Sequence, residues 1–214
     1  MKSLPVVYHP EKAFLPADTW DTKVHDDVPV TIIDNFYRDP EAVRSLAQKL
    51  AYTNHPDFTS YAPVLRSVFY GCMASVRFKF KQELPDLEGE FGKIHTFNVQ
   101  AKGMVLSHSR YRCPHLDSNS SVYEKEWSLL VYLSSDTVGT SFFKPPNSTT
   151  ACQTIISTPE YLEGWEESLT VQGKFNRALV FPSSECFHKV DVVAAEGEGD
   201  FIRLFQISTI GGLN

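Results

Sequence analysis

The sequence predicts a mainly β protein, a sandwich or barrel carried on a helical N-terminal region. Two observations point there. Between about residues 94 and 210 the apolar residues come in short runs of strand length, each interrupted by Gly, Pro, Asn or Ser. Before that, one stretch repeats its apolar residues at helical spacing through several turns. Neither internal repeats nor low-complexity segments interrupt this pattern. The 214 residues suit one domain spanning 1–214, since domains run to roughly 100–200 residues.

Taken in order, residues 1–29 are rich in proline and polar groups and read as an irregular arm. Val30-Thr31-Ile32-Ile33 is a short strand. Asp39 then caps a helix, Pro40 takes its first position, and Val43, Leu46, Ala47 and Leu50 continue one face to residue 52. A strand is expected at 75–80 and a helix near 82–91, which makes 1–93 an arm with helical support. In the β-rich part, Phe97, Val99 and Ala101 alternate with polar residues, and apolar runs follow at 127–133, 141–143, 178–181 and 201–207. Residues 144–172 read as an insertion with a short helix from Thr158-Pro159-Glu160. Trp165 lies within it, placed to act as a lid.

Composition removes several classes of function. Apolar residues make up 42% and aromatics 13%, the balance of a globular chain. The net charge of −6 and pI near 5.6 argue against a nucleic-acid partner, which favours a basic stripe. No apolar run approaches the ~20 residues of a membrane helix, and the N-terminus lacks a secretory apolar stretch, so a cytoplasmic protein with no membrane partner is expected. Cys72, Cys113, Cys152 and Cys186 form no CxxC pair and read as reduced thiols, not a zinc knuckle.

The chemistry-bearing pattern is His-x-Asp. It occurs three times, at His25, His55 and His115, more often than chance gives in a chain of this composition. Residues i and i+2 of a strand point the same way, so such a pair can place an imidazole and a carboxylate on one side of a metal. A facial triad with open positions for Fe(II) needs one more imidazole, from a strand that folds back beside the first. His115 and Asp117 sit in the β-rich half, and His188 follows 71 residues after Asp117, beyond the 178–181 run. The rival set of His25, Asp27 and His95, with Arg110, has nearly the same spacings. Its 27–95 interval, however, holds the clearest helix and little strand pattern. His55 has no suitably spaced partner.

Arg203 is a fourth candidate. Alternation along 201–207 puts it on the face of Phe201, Phe205 and Ile207, which faces inward. A buried guanidinium calls for an anion, and its planar fork matches a carboxylate.

Pro114-His115-Leu116-Asp117, Leu130-Val131-Tyr132-Leu133-Ser134, Gly139-Thr140-Ser141-Phe142-Phe143, the run from Asn176 to Pro182, Phe187-His188-Lys189-Val190 and Arg203 together resemble the 2-oxoglutarate/Fe(II)-dependent dioxygenases. The likeness is nearest to their prolyl-hydroxylase-like branch, in an uncharacterised bacterial subfamily, and covers roughly 94–210. It implies a double-stranded β-helix, or jelly roll. It also implies Fe(II) on His115, Asp117 and His188, and 2-oxoglutarate with its distal carboxylate on Arg203 and a hydrogen bond from Tyr132. With O2 as oxidant, such an enzyme hydroxylates a C–H bond and releases succinate and CO2. Arg112 stands where the branch usually has an aromatic residue, and Val138-Gly139-Thr140 replaces its usual glycine pair. A carboxylate at 117 argues against a halogenase, which leaves that position to chloride. The substrate class stays open among small molecules, amino acids and peptides. Two alternatives remain: a cupin-like metal enzyme that does not use 2-oxoglutarate, and a non-catalytic jelly-roll binding module.

Overall fold

A computed structural model describes residues 11–52, 65–70, 73–85, 87, 90–107, 113–117, 126–134, 138–146, 164–200 and 202–211. Two antiparallel sheets face each other, and helices cover the outer side of the larger one. Its seven strands are β1 (Asp21–Val24), β2 (Thr31–Asp34), β3 (Leu65–Tyr70), β4 (Glu90–Ala101), β5 (Glu126–Tyr132), β8 (Ala178–Phe181) and β10 (Ile202–Gly211), in the order β1-β2-β8-β5-β10-β4-β3. The smaller sheet joins β7 (Glu166–Val171), β6 (Thr140–Lys144) and β9 (Phe187–Val190) in the order β7-β6-β9. This is the mainly β jelly-roll architecture.

Alternation along the central strands builds two cores. Leu129, Val131, Val180, Leu204 and Ile210 face outward and meet Val43 and Ala47 of α1 (Pro40–Gln48) and Val76 and Phe80 of α2 (Ala74–Glu83). Leu130, Tyr132, Leu179, Phe181 and Phe205 face the small sheet and meet Phe142, Val171 and Cys186. Two shorter helices, α3 (Lys102–Ser107) and α4 (Val192–Glu196), share a third cluster through Val105 and Ala195.

The α1 start follows the sequence, with Asp39 accepting the Ala42 N–H and Pro40 in the first turn. Three expectations are corrected. Residues 75–80 are not a strand but most of α2, which buries Val76 and Phe80 one helical turn apart and leaves Phe78 64% exposed. No helix spans 82–91, because α2 ends at Glu83 and β4 begins at Glu90. The region 1–93 is more than an arm and helical support, since β1, β2 and β3 extend both edges of the large sheet. The expected insertion also shrinks, because its end is β7, paired with β6. Residues 147–163, with the expected short helix, lie outside the described residues, as do His55, Cys72, Arg110, Arg112 and Cys152. Trp165 packs edge-on against Phe187, ring centroids 4.8 Å apart. Gly139 is required where it stands, because a Cβ there would come within 1.9 Å of the Val171 carbonyl oxygen.

Asn176 ties the N-terminal part to the β core. It sits at φ 64°, in the left-handed region. Its side chain accepts from Tyr37 N–H at 2.8 Å and donates to Tyr37 C=O at 3.0 Å, while its own N–H donates to Tyr132 C=O at 2.9 Å. Asn176→Ala should lower unfolding free energy by about 2–4 kcal/mol, combining left-handed strain with two buried backbone groups left unpaired. Asn176→Gly should recover the strain part alone. Equal urea midpoints for wild type and Asn176→Ala would remove this linking role.

Candidate metal centre

Residues 113–117 lie between α3 and β5, and His115 pairs with the free side of β9. His115 and His188 form an isolated antiparallel bridge, each N–H donating to the other's C=O at 3.0 Å. Two residues on, Asp117 N–H donates to Ser183 C=O, also at 3.0 Å. Cross-strand partners share a face, so the two imidazoles meet with ring centroids 4.7 Å apart. The Asp117 carboxylate completes the cluster, its Oδ1 3.8 Å from His115 Nε2 and its Oδ2 3.4 Å from His188 Nε2. One ligand atom from each residue lies within 4.8 Å of the others, and no other such group exists among the described residues.

Both rings are oriented in the same way. His115 Nδ1 lies 3.1 Å from Cys113 C=O, and His188 Nδ1 lies 3.0 Å from Cys186 C=O. A carbonyl oxygen only accepts, so each Nδ1 carries a proton, and Nε2 is the ring atom left to face the cluster. That is the outer support which orients metal-binding imidazoles. Phe181 and Phe142 wall the His188 ring at centroid distances of 4.8 and 6.3 Å. Two imidazole nitrogens and one carboxylate suit a divalent first-row metal such as Fe(II), with further coordination positions left open.

Arg203 enters from β10 with 2% of its surface exposed. Its Nη1 donates to Gln100 Oε1 at 3.1 Å and its Nη2 to Thr140 Oγ1 at 3.3 Å, while Nε is buried without a hydrogen-bond partner. No carboxylate pairs with it among the described residues. The guanidinium lies 4.6 Å from the Phe205 ring centroid and 5.3 Å from that of Tyr132. Tyr132 OH is 2.7 Å from Thr140 Oγ1. Burial pushes the Tyr132 hydroxyl above its ordinary pKa, with the Arg203 charge pulling the other way. A buried cation with an orphaned N–H and neutral neighbours fits an anionic ligand. Thr140 and Phe142 share one face of β6, so this pocket lies roughly 7 Å along the strand from the His188 ring.

Gln100 and Thr140 thus join the pocket without having been picked out in the sequence. Thr140 lies in a recognised motif, but only the fold brings its hydroxyl to Arg203. Gln100 is exactly opposite Arg203 in the β4–β10 register, a pairing the sequence does not encode locally. The rival residues do not assemble. His95 Nδ1 bonds Ser208 Oγ at 2.7 Å on the helix-covered side, whereas His25 lines a cleft of about 430 Å³ with Lys23, Asp34, Thr170, Gln172 and Arg177.

In that cleft Arg177 grips Asp34 bidentately at 2.7 and 2.9 Å, and Lys174 adds a third contact at 2.9 Å. The hydrogen bond from Arg177 holds the Asp34 carboxyl below its usual value of 3.8, against the opposing effect of burial and with help from Lys174. A depressed folded-state value stabilises the fold above the unfolded value, and that contribution drains away as the pH falls from about 4 toward the lower folded value. Asp34→Asn should therefore destabilise the protein at neutral pH and flatten its stability profile below about pH 4. Thermal melts across that range check this, and a profile parallel to wild type would contradict it.

Comparison with solved structures gives the same fold. One match is the non-heme α-ketoglutarate-dependent epimerase SnoN from nogalamycin biosynthesis, 9% identical, covering 86% of this chain and 78% of that one, with a TM-score of 0.50. Others are a Pseudomonas putida prolyl-4-hydroxylase, 17% identical over 88% and 90% of the two chains with a TM-score of 0.45, and HygX from Streptomyces hygroscopicus, 12% identical over 86% and 82% with a TM-score of 0.44. At 9% identity the SnoN match is a likeness of fold alone. No curated protein matches. Residues 19–198 match the family of unknown function DUF6445, and the chain belongs to that family.

Proposed function

We propose that the chain is an Fe(II)- and 2-oxoglutarate-dependent oxygenase, of the prolyl-hydroxylase-like branch, that hydroxylates a small molecule, an amino acid or a peptide. One observation carries the reading: two imidazoles, each with its Nδ1 on a backbone carbonyl, and a carboxylate converge on one point, in the same interior as a buried arginine that has no acid partner among the described residues. His115, Asp117 and His188 would hold the iron. Arg203, with Tyr132, Thr140 and Gln100 around it, would receive the distal carboxylate of 2-oxoglutarate. The short spacing between the two sites suits a five-carbon dicarboxylic acid that spans them.

When bound, iron and 2-oxoglutarate supply O2 activation: one oxygen atom leaves in succinate, with CO2, and the other enters a substrate C–H bond. The chain's part is to orient and to shield. Phe142 and Phe181 keep the His188 side dry, and Arg203 fixes one end of the cosubstrate. The acidic balance of the chain makes nucleic acid an unsuitable substrate. No described helix is long and apolar enough to cross a membrane.

The test is turnover. With Fe(II), O2 and a metabolite or peptide panel, the protein should convert 2-oxoglutarate to succinate one for one with a product carrying one atom from O2, without chloride. Turnover of the panel without 2-oxoglutarate would favour the cupin-like alternative, and a chlorinated product would overturn the hydroxylase assignment.

A further inference from the structure

We propose that Ser183 and Ser184 are positioning residues of the metal centre, clasping the β8–β9 turn to the start of β5 so that Asp117 is fixed against His188. The proposal rests on the metal-binding reading above and extends it to residues that touch no ligand atom.

The 113–117 segment reaches the centre through three backbone bonds that all end on residues 183–188. Two join His115 to His188, and the third runs from Asp117 N–H to Ser183 C=O. The placement of 183–188 therefore sets the gap between the Asp117 carboxylate and the two Nε2 atoms. Internally the turn is closed by Glu185 and Cys186 N–H groups, which both donate to Pro182 C=O at 3.0 and 2.8 Å. The β5–β8 ladder places the chain on the large sheet only as far as Phe181, opposite Ser128, and leaves residues 183–188 beyond it to other contacts.

The serines supply that placement. Ser183 Oγ donates to Glu126 C=O at 3.3 Å, Ser184 Oγ reaches the same carbonyl at 3.4 Å, and Glu126 N–H donates to Ser184 Oγ at 3.3 Å. Ser184 N–H adds a fourth contact to that carbonyl at 3.4 Å. Each bond is long and weak alone. The three hydroxyl contacts extend the β5–β8 ladder into the turn, beyond what the Ser184 N–H alone supplies, and Glu126 is itself held opposite Gly211 in the β5–β10 ladder. Ser183 is fully buried, and its two polar roles face opposite ways: the hydroxyl grips β5 while the carbonyl grips Asp117. A shift of Ser183 is thus a shift of the carboxylate ligand.

The test uses Co(II) as a probe, titrated into wild type and the Ser183→Ala/Ser184→Ala double variant, with ligand-field absorption recorded alongside affinity. The expected result is roughly 10–100-fold weaker Co(II) binding, the range seen when outer-shell support is lost, and an altered absorption envelope. Ser184→Thr keeps its hydroxyl and should bind as wild type does. Asn176→Ala is the control for general destabilisation: it should melt earlier yet keep wild-type Co(II) affinity. Should the double variant fail to fold, Ser184→Ala carries the same test with a smaller shift. Wild-type affinity and spectrum in the serine variants would overturn the positioning role and leave the metal reading standing. A wild type that binds neither Co(II) nor Fe(II) would overturn the metal reading, and this inference with it.

Discussion

His188→Ala is expected to abolish Fe(II) binding while the protein stays folded. In the proposed centre His188 supplies one of the three ligand atoms that the described residues bring together, so its loss should exceed the roughly 10–100-fold penalty of losing outer-shell support. The fold should survive because the bonds joining residue 188 to residue 115 are backbone bonds that alanine keeps. Removing the ring from its contacts with Phe142 and Phe181 should cost about 1–3 kcal/mol of stability. His115→Ala should behave alike, and His25→Ala, outside the cluster, should bind metal as wild type does. Anaerobic calorimetric titration with Fe(II) reads all three. Loss of binding in His25→Ala with retention in His115→Ala would place the metal at the His25–Asp27 pair instead.

Arg203→Ala should weaken 2-oxoglutarate binding by about 10²–10³-fold, the equivalent of the roughly 3–5 kcal/mol that removal of one partner from a buried ion pair costs. Fe(II) affinity should hardly change, since Arg203 is no ligand. Arg203→Lys should recover part of the loss, because an ammonium keeps the charge but cannot reach Gln100, Thr140 and a carboxylate with one planar fork. Binding of 2-oxoglutarate to the Fe(II) protein, followed without O2, separates the outcomes. Unchanged affinity in a folded Arg203→Ala protein would make Arg203 a structural residue held by its amide, hydroxyl and ring neighbours.

The parts of the fold that could be read from the sequence are those whose burial is patterned. The central strands β5, β8 and β10 are apolar runs because both their faces are covered, and α1 shows a regular apolar stripe. Edge strands gave no such signal. All four residues of β1 are exposed, and β7 is mostly polar, so neither carries an alternation to detect. In α2 the signal misleads: Val76, Phe78 and Phe80 alternate with Arg77 and Lys79 like a strand, yet only Val76 and Phe80 are buried, one helical turn apart. The clustering of His115, Asp117 and His188 was legible because His-x-Asp is local and its partner histidine lies in the same β-rich half. The Arg203 surroundings were legible only in part, since Gln100 reaches it through cross-strand register and Thr140 across the space between the sheets.

The most direct test of the account is anaerobic titration of wild type with Fe(II) and then 2-oxoglutarate, watching for the visible charge-transfer band of an Fe(II)–2-oxo acid chelate. One Fe(II) per chain is expected, with a band that saturates at one 2-oxoglutarate per iron. Stoichiometric Fe(II) binding with no band at any 2-oxoglutarate concentration would contradict it.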